Sequence, residues 1–249
     1  MRAPGGARVA DLVAATGVAP MTVRRDLAEL ERHGVLRRVH GGATAVPARG
    51  EHLPYAVRLA SHAEAKIAIA RACAGLVPDG ASVIVDDGCT CAAVARELAG
   101  RDLTVLAMSI HVAAALGARA GTRILTPGGR LDPDELSWVG ATAVDAVRAF
   151  RADAAVLGVC GWDVRDGLTS STPADAEIKR AVIGSTARTI AVATGEKFER
   201  SATFVVCPSE AIDVAVVDRI DEAARAALEN AGVEVVVASV APPRTSSTP

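Results

Sequence analysis

Seven short runs of apolar, largely β-branched residues, each followed by a helical stretch, constrain this chain more than any other feature. They span residues 82–85, 103–107, 123–125, 154–157, 189–193, 214–217 and 233–237. A strand buried on both faces reads as a continuous apolar run, and its alternation with helices implies parallel strands covered on either side. The expectation is therefore an α/β domain built on a mostly parallel sheet. Half of the 249 residues are hydrophobic, enough for a sizeable core. Only 2% are aromatic, so that core must be made of Ala, Val, Leu and Ile, and stacking on single-stranded bases is a poor candidate for a mode of action.

The region ahead of these runs has another character. Residues 1–60 hold nine Arg, no Lys and five acids, a charge of +4, while the remainder carries −6. A small basic module on an acidic body points to a polyanionic partner for the front end only. The five cysteines, Cys73, Cys89, Cys91, Cys160 and Cys207, show no paired CxxC spacing, and two without nearby His do not make a metal site. No signal peptide or membrane-spanning run is evident, so a cytoplasmic protein without cofactor or metal is expected.

Two short helical patterns lie between Val9 and Gly34, broken at Gly17, Val18, Ala19 and Pro20, and a strand-forming stretch from Leu36 runs into Gly41 and Gly42. This is the outline of a helix-turn-helix with a wing. Over 21–31, helical spacing puts Val23, Leu27 and Leu30 on one face and Met21, Thr22, Arg24, Arg25 and Ala28 roughly opposite. A recognition helix needs this division, since its N-terminal half must reach base edges or phosphates. Arg37, Arg38 and His40 on the wing add cations for the backbone or minor groove of double-stranded DNA. Adjacent arginines also serve simply to solubilise a helix, so it is the order of turn, Arg-bearing helix and basic hairpin that favours DNA.

In the larger region the run 82–85 leads through Asp86, Asp87, Gly88, Cys89 and Thr90 into a helical segment. A Gly-containing loop that opens a helix at the carboxyl end of a strand is suited to a phosphate, and Thr90 adds a hydroxyl. An ordinary turn with Thr90 as a cap is the plainer alternative. Further loops are expected at the same edge: Ser109, Gly128 and Gly129, then Gly158, Gly161, Asp163, Gly167, Leu168 and Thr169. Lys179 and Lys197 are two of only three lysines among 27 basic residues, and a compact ammonium suits a phosphate in a small pocket. These positions, with Asp86, Gly88, Cys89 and Thr90, make up the candidate effector site.

The run from Gly17 through Leu27, followed by Leu30 and Glu31 and then by Arg38, Val39, His40, Gly41, Gly42 and Ala43, resembles the DeoR-family signature. The resemblance extends over nearly the whole chain. It implies a winged helix-turn-helix joined to a sensor domain similar to ribose-5-phosphate isomerase and the coenzyme A transferases, in a repressor controlled by a sugar phosphate. It also implies ligand positions at Asp86 to Thr90, Gly167 to Thr169 and Glu196 to Phe198. Cys89, Met108, Thr194 and Glu196 depart from the family's usual residues, each altering a polar contact. Family members usually carry another helix ahead of the one starting at Val9. Here Met1 to Arg8 is too short for it, so that either the start site is placed late or the DNA-binding domain lacks a packing partner for Leu12 and Leu27 and is loosened.

The expected organisation is a DNA-binding domain at 1–45, a linker at 46–61, an effector-binding and oligomerisation domain at 62–240 and a disordered tail at 241–249. Homodimers or homotetramers are expected, because paired half-sites raise affinity. Two rivals remain: a phosphosugar isomerase using Asp87, Asp163 or Glu177 with Lys179, and a DNA-binding protein whose rear domain only oligomerises.

Overall fold

The computed structural model describes residues 6–32, 36–39, 41–45, 53–163 and 165–239. The expectations for His40 and for the tail at 241–249 fall outside them.

The front module begins with strand β1 (Gly6–Arg8), then α1 (Val9–Thr16), α2 (Pro20–Arg32), β2 (Leu36–Val39) and β3 (Gly42–Ala45). Gly17 ends α1 in the left-handed conformation (φ 69°) with its N–H on the Val13 carbonyl, and Pro20 opens α2, where its fixed φ favours a helical start. The three strands form an antiparallel sheet in the order β1-β3-β2. Gly42 is required there, because a Cβ would lie 2.2 Å from the Ala7 carbonyl oxygen of β1. Val23, Leu27 and Ala43 form the buried centre, flanked by Val9, Leu12, Val13 and Leu36. Leu27 is 6% exposed and Leu12 packs partly buried against the same cluster, beside the pairing of β1 with β3.

The stretch expected to be linker contains a helix, α3 (Tyr55–Ala60). It leads into α4 (Ala63–Gly75), β4 (Ser82–Val85), α5 (Cys89–Leu98), β5 (Thr104–Ala107), α6 (Ile110–Leu116) and β6 (Arg123–Leu125). A hairpin of β7 (Arg130–Leu131) and β8 (Trp138–Val139) precedes α7 (Ala141–Ala149), β9 (Ala154–Gly158), β10 (Gly161–Asp163) and β11 (Gly167–Ser170). The chain ends with α8 (Pro173–Ile183), β12 (Thr189–Ala193), β13 (Phe204–Cys207), β14 (Val214–Val217), α9 (Glu222–Asn230) and β15 (Glu234–Val237).

All seven expected strands join one sheet, in the order β15-β14-β12-β9-β4-β5-β6, and every pairing in it is parallel. The pleat explains the continuous apolar runs: on β4, Val83 and Val85 enter one core with Ile69, Val94 and Leu98, while Ile84 enters the other with Leu157, Val144 and Ile178. Both faces are therefore dry. From β4 the chain winds outward to β6 and then returns to β9 on β4's other side, which makes the β4/β9 boundary the point where strand order reverses. Ligands of open α/β sheets bind in the crevice outside the carboxyl ends of strands at such a point. A second, antiparallel sheet, β10-β11-β13, was not foreseen from the sequence.

Candidate functional sites

On the front module, α2 buries Val23 and Leu27 and turns its other face outward. Met21 is 73% exposed, Arg24 and Arg25 are exposed, and Arg25 makes a loose contact, 4.0 Å, with Asp26. Arg37 and Arg38 lie on β2, in the hairpin that follows α2. Thr22 is half-buried on the first turn of α2, its N–H bonded to the Ala19 carbonyl.

In the sheet domain, β4 delivers Asp86 to the reversal point, where its carboxylate accepts from the Gly158 N–H (2.9 Å) at the end of β9 and from Lys179 Nζ (2.7 Å). Lys179 also meets Asp175 Oδ1 at 2.7 Å, one turn earlier on α8, and Asp87 Oδ1 at 3.5 Å. Asp86, Asp87 and Asp175 bring one oxygen each to within 4.8 Å of one another, and the position a cation would take among them is held by the protein's own ammonium. Burial raises the Asp86 carboxyl above the ordinary range. Burial likewise pushes Asp87 up to about 7, against the pull of Lys179 and with the help of Asp86 and Asp175. Burial works to lower Lys179, but Asp175, Asp86 and Asp87 hold it well above its ordinary value.

Lys179 is 2% exposed and paired with three carboxylates, so it braces the loop from below. Asp86, 1% exposed, is its partner in that brace. Above them, Gly88 (φ 91°) carries the chain into α5 without a side-chain cap, whereas α6, α8 and α9 are capped by Ser109, Thr172 and Asp221. The first-turn N–H groups of α5 are thus left to other acceptors. Thr90 is half-buried on that turn, and Cys89 is buried with its thiol donating to the Arg58 carbonyl, 3.7 Å away.

Several remaining candidates have structural partners. Ser109 is fully buried and accepts from the Val112 N–H as the cap of α6. Thr169 donates to the Gly161 carbonyl and accepts from the Ala202 N–H; Asp163 accepts from the N–H groups of Arg165 and Asp166. Gly161 and Gly167 are sites of tight packing, where a Cβ would lie 2.6 Å from the Arg200 carbonyl and 2.2 Å from the Cys207 carbonyl. Gly129, beside Gly128, packs on Thr142 of α7. Lys197 lies on a 3-10 turn (Gly195–Glu199), 3.5 Å from Glu196, which also meets His62 at 3.2 Å. The structure thus gathers Asp86, Gly88, Cys89, Thr90 and Lys179 at one loop, and Gly161, Thr169 and Lys197 around the next. Glu177, proposed as a proton shuttle, is exposed in an open groove with Arg148, Arg151 and Arg180, while Lys179 points inward.

Sequence reasoning missed Arg58. From α3 its guanidinium reaches the Leu53 carbonyl (2.8 Å) and forms an ion pair with Glu135, with Nη1 4.0 Å from where a side chain on Gly88 would begin. It missed Asp175 too, although the i, i+4 spacing to Lys179 was visible.

Comparison with known proteins gives a consistent picture. The DeoR-like helix-turn-helix domain matches residues 2–48, and the DeoR C terminal sensor domain matches 61–219. The chain is 36% identical over 199 residues to the transcriptional repressor AccR of Agrobacterium fabrum, covering 79% of this chain and 77% of that protein. It is 33% identical over 193 residues to the glycerol-3-phosphate regulon repressor of Escherichia coli, covering 77% and 76%. Ribose 5-phosphate isomerase A of Methanocaldococcus jannaschii aligns with a TM-score of 0.41 at 16% identity, covering 55% of each chain.

Proposed function

Since the chain belongs to the DeoR family of transcriptional regulators, we propose that it is a repressor of a carbohydrate operon whose DNA affinity is set by a phosphorylated sugar. The observation that carries the effector half is the uncapped start of α5 at the strand-order reversal, with the Arg58 guanidinium above Gly88. Backbone N–H groups, the helix dipole and a guanidinium together favour a phosphoryl group. The exposed Arg24 and Arg25 of α2, followed in the chain by Arg37 and Arg38 on β2, carry the DNA half. The proposed contacts are Met21, Thr22, Arg24, Arg25, Arg37 and Arg38 on the operator, and the Gly88–Thr90 loop with Lys197 around the effector.

The protein is not an enzyme on this reading. An isomerase needs an acid–base pair facing a substrate, and here Asp163 closes a turn, Glu177 faces an outer groove, and Lys179 is enclosed. It works in the cytoplasm as a homodimer or homotetramer; among the described residues no helix is long and apolar enough to cross a membrane.

The test is fluorescence anisotropy on DNA from upstream of the chain's own gene, over a range of salt, with and without a panel of sugar phosphates. Specific, salt-sensitive binding that shifts with one member is the expected result. Specific binding indifferent to the whole panel would reduce the sheet domain to an oligomerisation unit.

A further inference from the structure

The helix that leads from the DNA-binding module into the sensor is docked across the loop proposed to hold the phosphate. Tyr55 stacks on His111 of α6 with ring centroids 3.9 Å apart and planes within 6°. Lys66 of α4 donates to the Arg58 and Ser61 carbonyls, and the Cys89 thiol donates to the same Arg58 carbonyl. Arg58 itself is only 14% exposed at its side chain, and its charged partner is Glu135, on the turn between β7 and β8. That turn is held by Asp132, whose side chain accepts from the N–H of Glu135 at 3.1 Å. Two residues bordering this clamp adopt left-handed backbone that lacks the excuse of glycine: Leu136 (φ 49°), next to Glu135, and His62 (φ 52°), just after α3. Such conformations persist only where the surroundings enforce them.

We propose that Glu135 is an internal stand-in for the effector's anion: it holds Arg58 while the site is empty, and an arriving phosphoryl group takes Arg58 from it. The inference rests on the anion site proposed above. A phosphomonoester carries up to two charges against the carboxylate's one and accepts a guanidinium in the same forked geometry, so it can win the exchange. Loss of the pair frees the β7–β8 turn and shifts α3, the first described element after the DNA-binding module in the chain. A ligand shifts such an equilibrium only by its differential affinity for the two arrangements, and Arg58 is the group that supplies the difference.

The experiment uses the full chain and inorganic phosphate, titrated by calorimetry, with glucose 6-phosphate as a second arm that separates free phosphate from a phosphorylated sugar. Glu135→Gln should bind phosphate about tenfold more tightly than the unaltered protein, and Arg58→Gln about tenfold more weakly. Opposite signs are the signature, because a pair that merely braced the loop would make both variants worse. Glu135→Asp, which retracts the carboxylate by one methylene, should fall between Glu135 and Gln and serves if the amide variant does not fold. Equal weakening in both variants, or no change in either, would overturn the exchange while leaving the anion site standing. Absence of phosphate and glucose 6-phosphate binding in every variant would remove the anion site and the proposal together. Amide hydrogen exchange at Arg58 and Ser61, bonded to the Pro54 and Val57 carbonyls, should quicken when phosphate binds; unaltered exchange would overturn the coupling through α3.

Discussion

The DNA-binding module and the sheet domain solve the same problem at different scales. Among the described residues the module closes over three buried apolar ones, Val23, Leu27 and Ala43, and turns Arg24 and Arg25 of α2 outward. The sheet domain has two large cores, one on each face of seven parallel strands. Free energies of local opening scale with buried contacts, so the module should open well before the sheet does. Binding chemistry in the two follows the same division: α2 offers Arg24 and Arg25 to solvent, whereas the sheet domain encloses Lys179 almost completely. A cation meant for DNA must be exposed, while one meant to hold a loop must not be.

Four experiments would break or sharpen this contrast. Lys179→Met leaves Asp86, Asp87 and Asp175 without their ammonium and should cost the sheet domain about 3–5 kcal/mol in chemical denaturation. A near-neutral result would mean that protons on the carboxylates compensate fully. Next, Leu157→Ala should lower the main unfolding transition by about 2–5 kcal/mol, whereas Leu27→Ala should abolish DNA binding and leave that transition in place. If both variants move the main transition alike, the module and the sheet unfold as one unit. Arg25→Ala should weaken operator binding by about 1–3 kcal/mol and reduce the salt slope, with an unchanged melting curve; undiminished affinity would remove Arg25 from the interface.

The smallest effect concerns pH. Asp87 has its carboxyl raised from 3.8 to about 7, so the folded protein binds a proton there that the unfolded chain has released. Stability tied to this group is therefore highest below the unfolded value and declines as pH rises through 7, by about 1.4 kcal/mol between pH 6 and 8. Asp87→Asn should flatten that slope in thermal melts recorded across the range, and a slope that persists would assign it to another group.

The sequence announced some of this and concealed the rest for identifiable reasons. Strands buried on both faces leave an uninterrupted apolar run, so β4 through β15 of the main sheet were legible, and the polar and apolar faces of α2 were equally plain. The β10-β11-β13 sheet was not, because its strands are short and Gly167 to Ser170 carries little β-branched signal. Helix α3 was hidden by Pro47, Gly50 and Pro54, whose presence reads as linker. At the loop after β4, the position of Gly88 at a helix start was readable, yet Lys179 was taken for a ligand-facing cation. Its partner Asp86 is 93 residues away, and no spacing rule links them. Ser109 is ambiguous for the opposite reason: a serine before a helix is both a possible ligand contact and a cap, and here it caps α6.

The pairing of Asp86 with Lys179 also orders events in time. As the chain leaves the ribosome, the DNA-binding module emerges first, and the three strands described for it are all made by residue 45. The loop after β4 follows, but its buried carboxylate has no ammonium until α8 has been made. A nascent or prematurely ended chain would therefore carry the α2 arginines beside a sensor whose loop after β4 still lacks its internal cation.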